Sequence, residues 1–569
     1  MFFIELLPQV RDAFLECRGL YPKGDYHPLP SAAPALVWSP GPPSLDMLDE
    51  EVDSGLGLSL LKGRPTSSPA RFGVRSTMFE NAELDHRVDK PTYAREAPRL
   101  RAALLEAQRE LAEANLSVIV IVAGVGGAGK AETVDLLLEW LDARGIETHA
   151  MREPTDEERQ RPAMWRFWRA LPPRGRIGIF FGAWHAGPIL DRTFGRITLP
   201  QLDQAIDRIV EFERMLHREG VLLVKFWLHL SRNAQKARLK ALEADPRQRW
   251  RVMKRDWGLF KRYDAHRSVS EHVLRRTGTA EAPWTIVEGT DRRYRHLTVA
   301  QVLLEALRGR LEQVRSVSPA SEPALVPLPP DSVNVISRLD MGLALDPGTY
   351  KKELLRAQGE LGLLSRRLRK RERSLILVFE GPDAAGKGGA IRRLTAAMDA
   401  RDYQVLSVAA PTDEERAHPY LWRFWRHLPP SGRVMIYDRS WYGRVLVERV
   451  EGFARPEQWR RAYEEINAFE EQLTEFGLIV AKFWLAITPE EQLRRFEARQ
   501  TTPYKQYKLT EEDWRNRDRW SSYEAAACEM IERTGTESSP WMLVEGNNKE
   551  WARVKVLKEV VRRVRSALK

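Results

Sequence analysis

Residues Gly381 to Gly389 read GPDAAGKGG, between the apolar run SLILVFE and the helical pattern AIRRLTAAMDA. The spacing G-x-x-x-x-G-K in that setting is built for phosphate. Glycines let the backbone close around an anion, several N–H groups and the helix dipole then face it, and a lysine adds a full charge. Gly381, Ala384, Ala385, Gly386, Lys387 and Gly388 are the candidate phosphate-binding residues. Gly388 stands where a Ser or Thr usually supplies a hydroxyl to Mg²⁺, so a metal must be held otherwise. Two carboxylates are candidates: Asp383 inside the loop, and Asp438 at the end of VMIYDRS. In a parallel sheet both strand ends fall on one edge, where paired carboxylates can hold Mg²⁺ or orient an attacking oxygen. Arg439 and Arg444 follow closely. Guanidinium groups neutralise charge on the oxygens of a phosphoryl group in flight. Asp438 alone could equally be a strand-end cap or a partner of Arg439, and the two arginines a solvated helix start.

Other stretches carry weaker signals. PTDEER holds Thr412 and Glu415 at capping-box spacing, a structural feature. WRFWRHLPP spaces Trp422 from Trp425, and Arg423 from Arg426, as two faces of one helix. The tryptophans suit a core, and Arg423 could reach a phosphate. QTTPYKQYKLTEEDW, from Gln500 to Trp514, suits a mobile lid that brings Lys505 and Lys508 over phosphates. An ordinary surface loop is the plain alternative.

The elements that must position these groups are visible in outline. SLILVFE, YQVLSVAA, RVMIYD, LIVAKFWLAI and WMLVEG read as buried strands separated by amphipathic helices, the signature of an α/β parallel sheet covered on both faces. The whole set occurs twice. An offset of 257 residues aligns Gly124, Gly129 and Lys130 with Gly381, Gly386 and Lys387, and PTDEER, WRFWR, KFWL, TGT and VEG with their second copies. A constant offset over such a span means duplicated domains. The first copy has lost the chemistry: Gly126, Phe181, Gly182 and Gly187 replace Asp383, Asp438, Arg439 and Arg444. Catalysis is therefore expected in the second copy only. The expected domains are a disordered Pro- and Ser-rich extension at 1–77, a degenerate domain at 78–315, a Pro-rich linker at 316–335, and a catalytic domain at 336–569. Met78 is a candidate initiator, which mass spectrometry of the native N-terminus would test.

The bulk numbers set bounds. The 569 residues exceed one ordinary core. A formal charge of +11 favours a polyanionic partner. No run is long and apolar enough to span a membrane, and the N-terminus lacks the basic start of a secretory signal. Two distant cysteines, Cys17 and Cys528, fit a reducing cytoplasm.

EGPDAAGKGG, DRSWYGRVLVERVEGF, WRFWRHLPP, AKFWL and the Lys-bearing lid together resemble the polyphosphate kinase 2 family. The match covers essentially all of 350–569, with a degenerate copy over about 90–315, a layout similar to the family's two-domain branch. The resemblance implies tandem P-loop kinase-like domains, each a parallel sheet flanked by helices. It implies phosphoryl transfer from inorganic polyphosphate to AMP, giving ADP, with Mg²⁺, or Mn²⁺ in its place. Asp383 and Asp438 would be the catalytic and metal-associated carboxylates. Lys387 would bind phosphate, and Arg439 and Arg444 would line the transfer site. Gly443 lies where many relatives carry Asn. A homo-oligomer is compatible; a membrane or nucleic-acid partner is not expected. Two other readings stand beside this one. FEGPDAAGKGG with DRS also resembles ATP-dependent nucleoside monophosphate kinases such as thymidylate kinase, and the basic, Trp-rich composition would suit a nucleic-acid binder.

Overall fold

The computed structural model describes residues 78–316 and 334–569, apart from the side chains of Lys505 and Lys508. The expected extension at 1–77 and nearly all of the expected linker lie outside the described residues. In the second half, β6 (Leu375–Glu380), β7 (Tyr403–Ser407), β8 (Val434–Asp438), β9 (Ile479–Ala486) and β10 (Trp541–Glu545) form one sheet in the order β10-β9-β6-β8-β7. Every pairing is parallel. The first half repeats this with β1 (Val118–Gly124), β2 (Ile146–Ala150), β3 (Ile177–Phe181), β4 (Leu222–His229) and β5 (Trp284–Glu288), in the order β2-β3-β1-β4-β5.

The strands are apolar throughout because each sheet is covered on both faces. Side chains alternate along β6. Leu375, Leu377 and Phe379 pack with the helices Pro347–Lys370 and Lys549–Ala567. Ile376 and Val378 face the opposite layer, with Phe469 of the helix Pro456–Glu475 and Met530 of the helix Trp520–Thr534. One expectation needs correcting. YQVLSVAA is not a buried strand: β7 is the sheet edge, with Gln404, Val405 and Ser407 exposed, because only β8 flanks it.

The second layer does not end at the boundary of the repeat. Ile119, Ile121, Phe180 and Phe212 of the first half belong to the same apolar cluster as Trp425, Tyr437 and Phe469. At its centre Trp168 stacks on Trp425, its own counterpart in the repeat, with centroids 5.5 Å apart and planes at 14°. Flanking contacts repeat the pairing. Gln204 donates to Glu475 at 3.1 Å, and their counterparts meet where Arg461 donates to the carbonyl of Arg218 at 2.8 Å. The two copies therefore face each other about a pseudo-twofold axis.

Candidate active site

The loop after β6 is fixed by backbone needs. Gly381 has φ +140°, and a Cβ there would meet the Leu485 carbonyl oxygen at 2.3 Å, so only glycine fits. Gly386, at φ +110°, caps the helix Lys387–Thr395. From beneath, the buried Arg495 guanidinium donates to the carbonyls of Ala384 (2.8 Å), Ala385 (3.1 Å), Gly546 (2.6 Å) and Asn547 (2.9 Å). Gln492 donates to the Asp383 carbonyl at 3.0 Å. The Lys387 ammonium donates to the carbonyls of Gly381 at 2.7 Å and Pro382 at 3.2 Å. Burial, then the nearby charge of Arg439, hold its pKa below the usual lysine range.

β8 lies beside β6, with Asp438 opposite Phe379, so Asp438 leaves the sheet next to the loop. The next residue, Arg439, sits at φ +63° and donates its guanidinium to Asp383 Oδ1 at 2.5 Å. Asn516 donates to Asp383 Oδ2 at 2.9 Å and accepts from the Tyr523 hydroxyl at 3.1 Å. Burial would raise the Asp383 pKa, but the charges of Arg439 and Lys387 with the Asn516 bond hold it below the ordinary value. Glu380, at the end of β6, accepts from the Ser440 hydroxyl at 2.8 Å, and its burial raises its pKa. The Asp438 carboxylate takes no hydrogen bond or ion pair from any described residue. Gly381, Asp383, Arg439, Gly443, Asn516 and Tyr523 are among the residues lining a cavity of about 290 Å³.

The structure thus brings Asp383, Lys387, Asp438 and Arg439 together at the carboxyl ends of β6 and β8. Gly381, Ala384, Ala385, Gly386 and Gly388 form the loop and the helix start beside them. Asp438 and Arg439 do not pair with each other, as the plain reading of that dipeptide allowed. The Arg444 guanidinium lies over the Tyr420 ring at 4.2 Å and pairs with Glu448 at 2.8 Å. Arg423 donates to the Ala409 carbonyl at 3.0 Å and pairs with Glu415 at 3.2 Å, tying the tryptophan helix to the PTDEER turn. Its counterpart Arg166 makes the same two kinds of contact, with the Arg152 carbonyl at 3.0 Å and with Glu158 at 3.4 Å. The side chains of Lys505 and Lys508 lie outside the described residues; their backbone forms a short turn, Pro503–Lys508, ahead of the helix Glu511–Asp518 that delivers Asn516.

Asn516 and Glu380 escaped the reading of the sequence. Their signal was available in the repeat, since Leu259 and Ala123 hold the same places in the first copy. The cavity wall formed by Ile336, Leu339 and Met341 carries no such signal, because a short apolar stretch shows its destination only once folded.

In the first half Lys130 donates to the Gly124 and Val125 carbonyls at 2.8 and 2.7 Å, and burial pushes its pKa down to about 8. The rest differs. Phe79, counterpart of Ile336, stacks at 4.5 Å on His229, counterpart of Ala486, and so fills the place of the cavity. Glu132, counterpart of Gly389, collects Arg295 (2.6 Å), Arg238 (2.8 Å) and Arg251 (3.1 Å) in the first turn of the helix Lys130–Trp140. A carboxylate tied to three arginines therefore stands in the first turn of that helix, where the second half has Gly389.

A parallel sheet, a glycine-rich loop with a buried lysine at a helix start, and an Asp-Arg pair at the neighbouring strand end define a P-loop phosphotransferase. The sequence model described as "Polyphosphate kinase 2 (PPK2)" matches residues 87–315 and 344–569, and the chain belongs to that family. It is 53% identical over 495 residues to a polyphosphate:AMP phosphotransferase of Pseudomonas aeruginosa, covering 86% of this chain and 99% of that one. A protein of the same name from Pseudomonas syringae pv. tomato is 50% identical over 85% of this chain and 97% of its own. A crystal structure of a polyphosphate kinase 2 from Pseudomonas aeruginosa superposes with a TM-score of 0.77 at 51% identity, over 86% of this chain and 99% of that one.

Proposed function

We propose that this enzyme moves a phosphoryl group from inorganic polyphosphate to AMP, giving ADP, and that the second half alone catalyses the transfer with Mg²⁺. The observation that carries this is the convergence of Asp383, Lys387, Asp438 and Arg439 on one sheet edge of the second half, against the retention of the lysine alone, as Lys130, in the first. The names of the relatives supply the substrates; the site supplies the chemistry. An oxygen of the AMP phosphate forms the new bond to the terminal phosphorus of polyphosphate. The anhydride P–O bond to the next phosphate breaks, and its electron pair stays with the shortened polymer. No proton need move when the attacking oxygen is already ionised.

In this reading Lys387 and the loop N–H groups bind phosphate oxygens, and Arg439, oriented by Asp383, neutralises charge that grows in the transition state. Asn516, just past the lid stretch, holds the other Asp383 oxygen and so helps to fix the carboxylate that orients Arg439. A Mg²⁺ ion usually takes one or two carboxylates plus substrate phosphates. Asp438 fits that role, because its oxygens are uncommitted among the described residues, whereas both oxygens of Asp383 are engaged by Arg439 and Asn516. When bound, the ion would add positive charge at the phosphate oxygens.

The test is ADP formation from AMP and long-chain polyphosphate without ATP. Strict ATP dependence would defeat the reading in favour of a nucleoside monophosphate kinase. Asp438→Asn should lower turnover at least ~10²-fold, the usual loss when one charge-stabilising group is removed. Residual activity above roughly a tenth of wild type would count against catalysis by Asp438 in the second half alone.

A further inference from the structure

A large cavity lies mainly in the first half, with Gln472, Glu475 and Phe476 of the second half on one side. It has a volume of about 870 Å³, within the range of roughly 300–1,000 Å³ usual for small-molecule sites. Its origin can be read from the repeat. In the second half Tyr420 is buried under the Arg444 guanidinium, which Glu448 holds. The counterparts are Ala163, Gly187 and Asp191, and all three line the cavity. A Cβ added at Gly187 would meet nothing within 4 Å. Loss of a phenol and a guanidinium therefore left open space, while the surrounding framework was kept.

We propose that this cavity is a second ligand site that binds a nucleoside phosphate. Phe167, the buried Trp184 and Phe194 supply aromatic surface, and Phe476 closes one side from the second half. Exposed Arg152, Arg159, Arg196 and Arg255 surround this floor. The lining carries seven arginines against four carboxylates, a positive balance. Arg159 and Arg196 pair with Asp156 and Asp191 at 2.6 and 3.1 Å, Arg255 with Glu153 at 3.2 Å, and Arg152 has no side-chain partner among the described residues. Aromatic surface beside guanidinium groups matches a base and a phosphate on one molecule. Polyphosphate has no apolar surface to offer the aromatic floor, so it fits less well. The site is distinct from the cavity at Asp383 and does not depend on the reaction proposed for that one.

The test is titration calorimetry of the full chain with AMP, ADP and ATP, each without polyphosphate. Wild type should bind two molecules per chain of at least one of them. The double substitution Ala163→Tyr with Gly187→Arg rebuilds the filler of the second half and should leave one. Because that variant could misfold, Arg152→Ala with Arg255→Ala, both on the surface, gives an independent reading. It should weaken one site tenfold or more and leave the other unchanged. Arg439→Ala should remove the complementary site, which separates failure of this proposal from failure of the proposed function. A stoichiometry of one or none for all three nucleotides in wild type, or two undisturbed sites in the folded cavity variants, would overturn it.

Discussion

Arg439 is held in the left-handed backbone region at φ +63°, whereas its counterpart in the first half is Gly182 at φ +78°. That conformation costs an L-residue roughly 1–2 kcal/mol relative to the ordinary regions. The second half keeps the strained residue because its guanidinium reaches Asp383; the first half has dropped both the strain and the group. Stability and activity should therefore separate at this position. Arg439→Gly and Arg439→Ala both remove the charge and should both lose at least ~10²-fold in turnover. The glycine variant should nevertheless be the more stable by about 1 kcal/mol, read from denaturant midpoints, since glycine adopts positive φ freely. Equal stability would mean that the turn bears no strain.

The turn after β8 is an element with its own anchor. Glu470 accepts from Trp441 Nε1 at 3.0 Å and from the Tyr442 hydroxyl at 2.7 Å, and its other oxygen pairs with the buried Lys482 at 2.7 Å. Lys482 also donates to the Thr534 carbonyl at 2.7 Å. The first half repeats this with Glu213, Trp184 (3.0 Å), Lys225 (2.6 Å) and Thr277 (2.8 Å). KFWL and TGT thus recur because they clamp the turn, whether or not it carries Arg439. Glu470→Ala would leave a lysine buried without its countercharge, which costs about 3–5 kcal/mol. Thermal unfolding should show that loss, and a change under 1 kcal/mol would mean the clamp is dispensable. At this scale much was legible in advance. The glycine-lysine spacing located the loop, the apolar runs located β6, β8 and β9, and the parallel-sheet reading placed Asp383 and Asp438 on one edge. Spacing could not say where the side chains of a turn point: Arg444, six residues past Asp438, turns toward Tyr420. Nor could an apolar run reveal that β7 would lie at an edge, since that depends on which strands flank it.

At the scale of the whole chain, two charged groups from different halves meet where the repeats face each other. Arg461 bridges Glu465, at 3.0 Å, and the first half's Glu219. Burial, only partly offset by Arg461 and reinforced by Glu219, raises the Glu465 pKa from 4.5 to about 7. A carboxyl with a raised folded pKa stabilises fully below its unfolded value and loses that contribution as pH rises through the folded one. Unfolding free energy should therefore fall between pH 5 and 7.5 by more in wild type than in Glu465→Gln, by roughly 3 kcal/mol at most, read from denaturant unfolding at each pH. Parallel profiles would remove Glu465 from the account.

The same interface makes the first half a structural part of the enzyme. Trp168, Phe212 and Met215 cover Leu421, Trp425 and Phe469 of the second half within one apolar cluster. Residues 334–569 made alone would expose that surface, and an apolar patch of this kind drives association or misfolding. The isolated piece should aggregate or turn over poorly, and supplying residues 78–316 in trans should restore soluble, active protein. In the intact chain Trp168→Ala removes a large side chain from the shared core and should cost about 3–5 kcal/mol. If the core is truly shared, that loss appears as a shift of one cooperative transition, seen alike by probes in both halves. Two separate transitions, with only the first displaced, or a monomeric 334–569 fragment with full turnover, would show that the second half stands on its own.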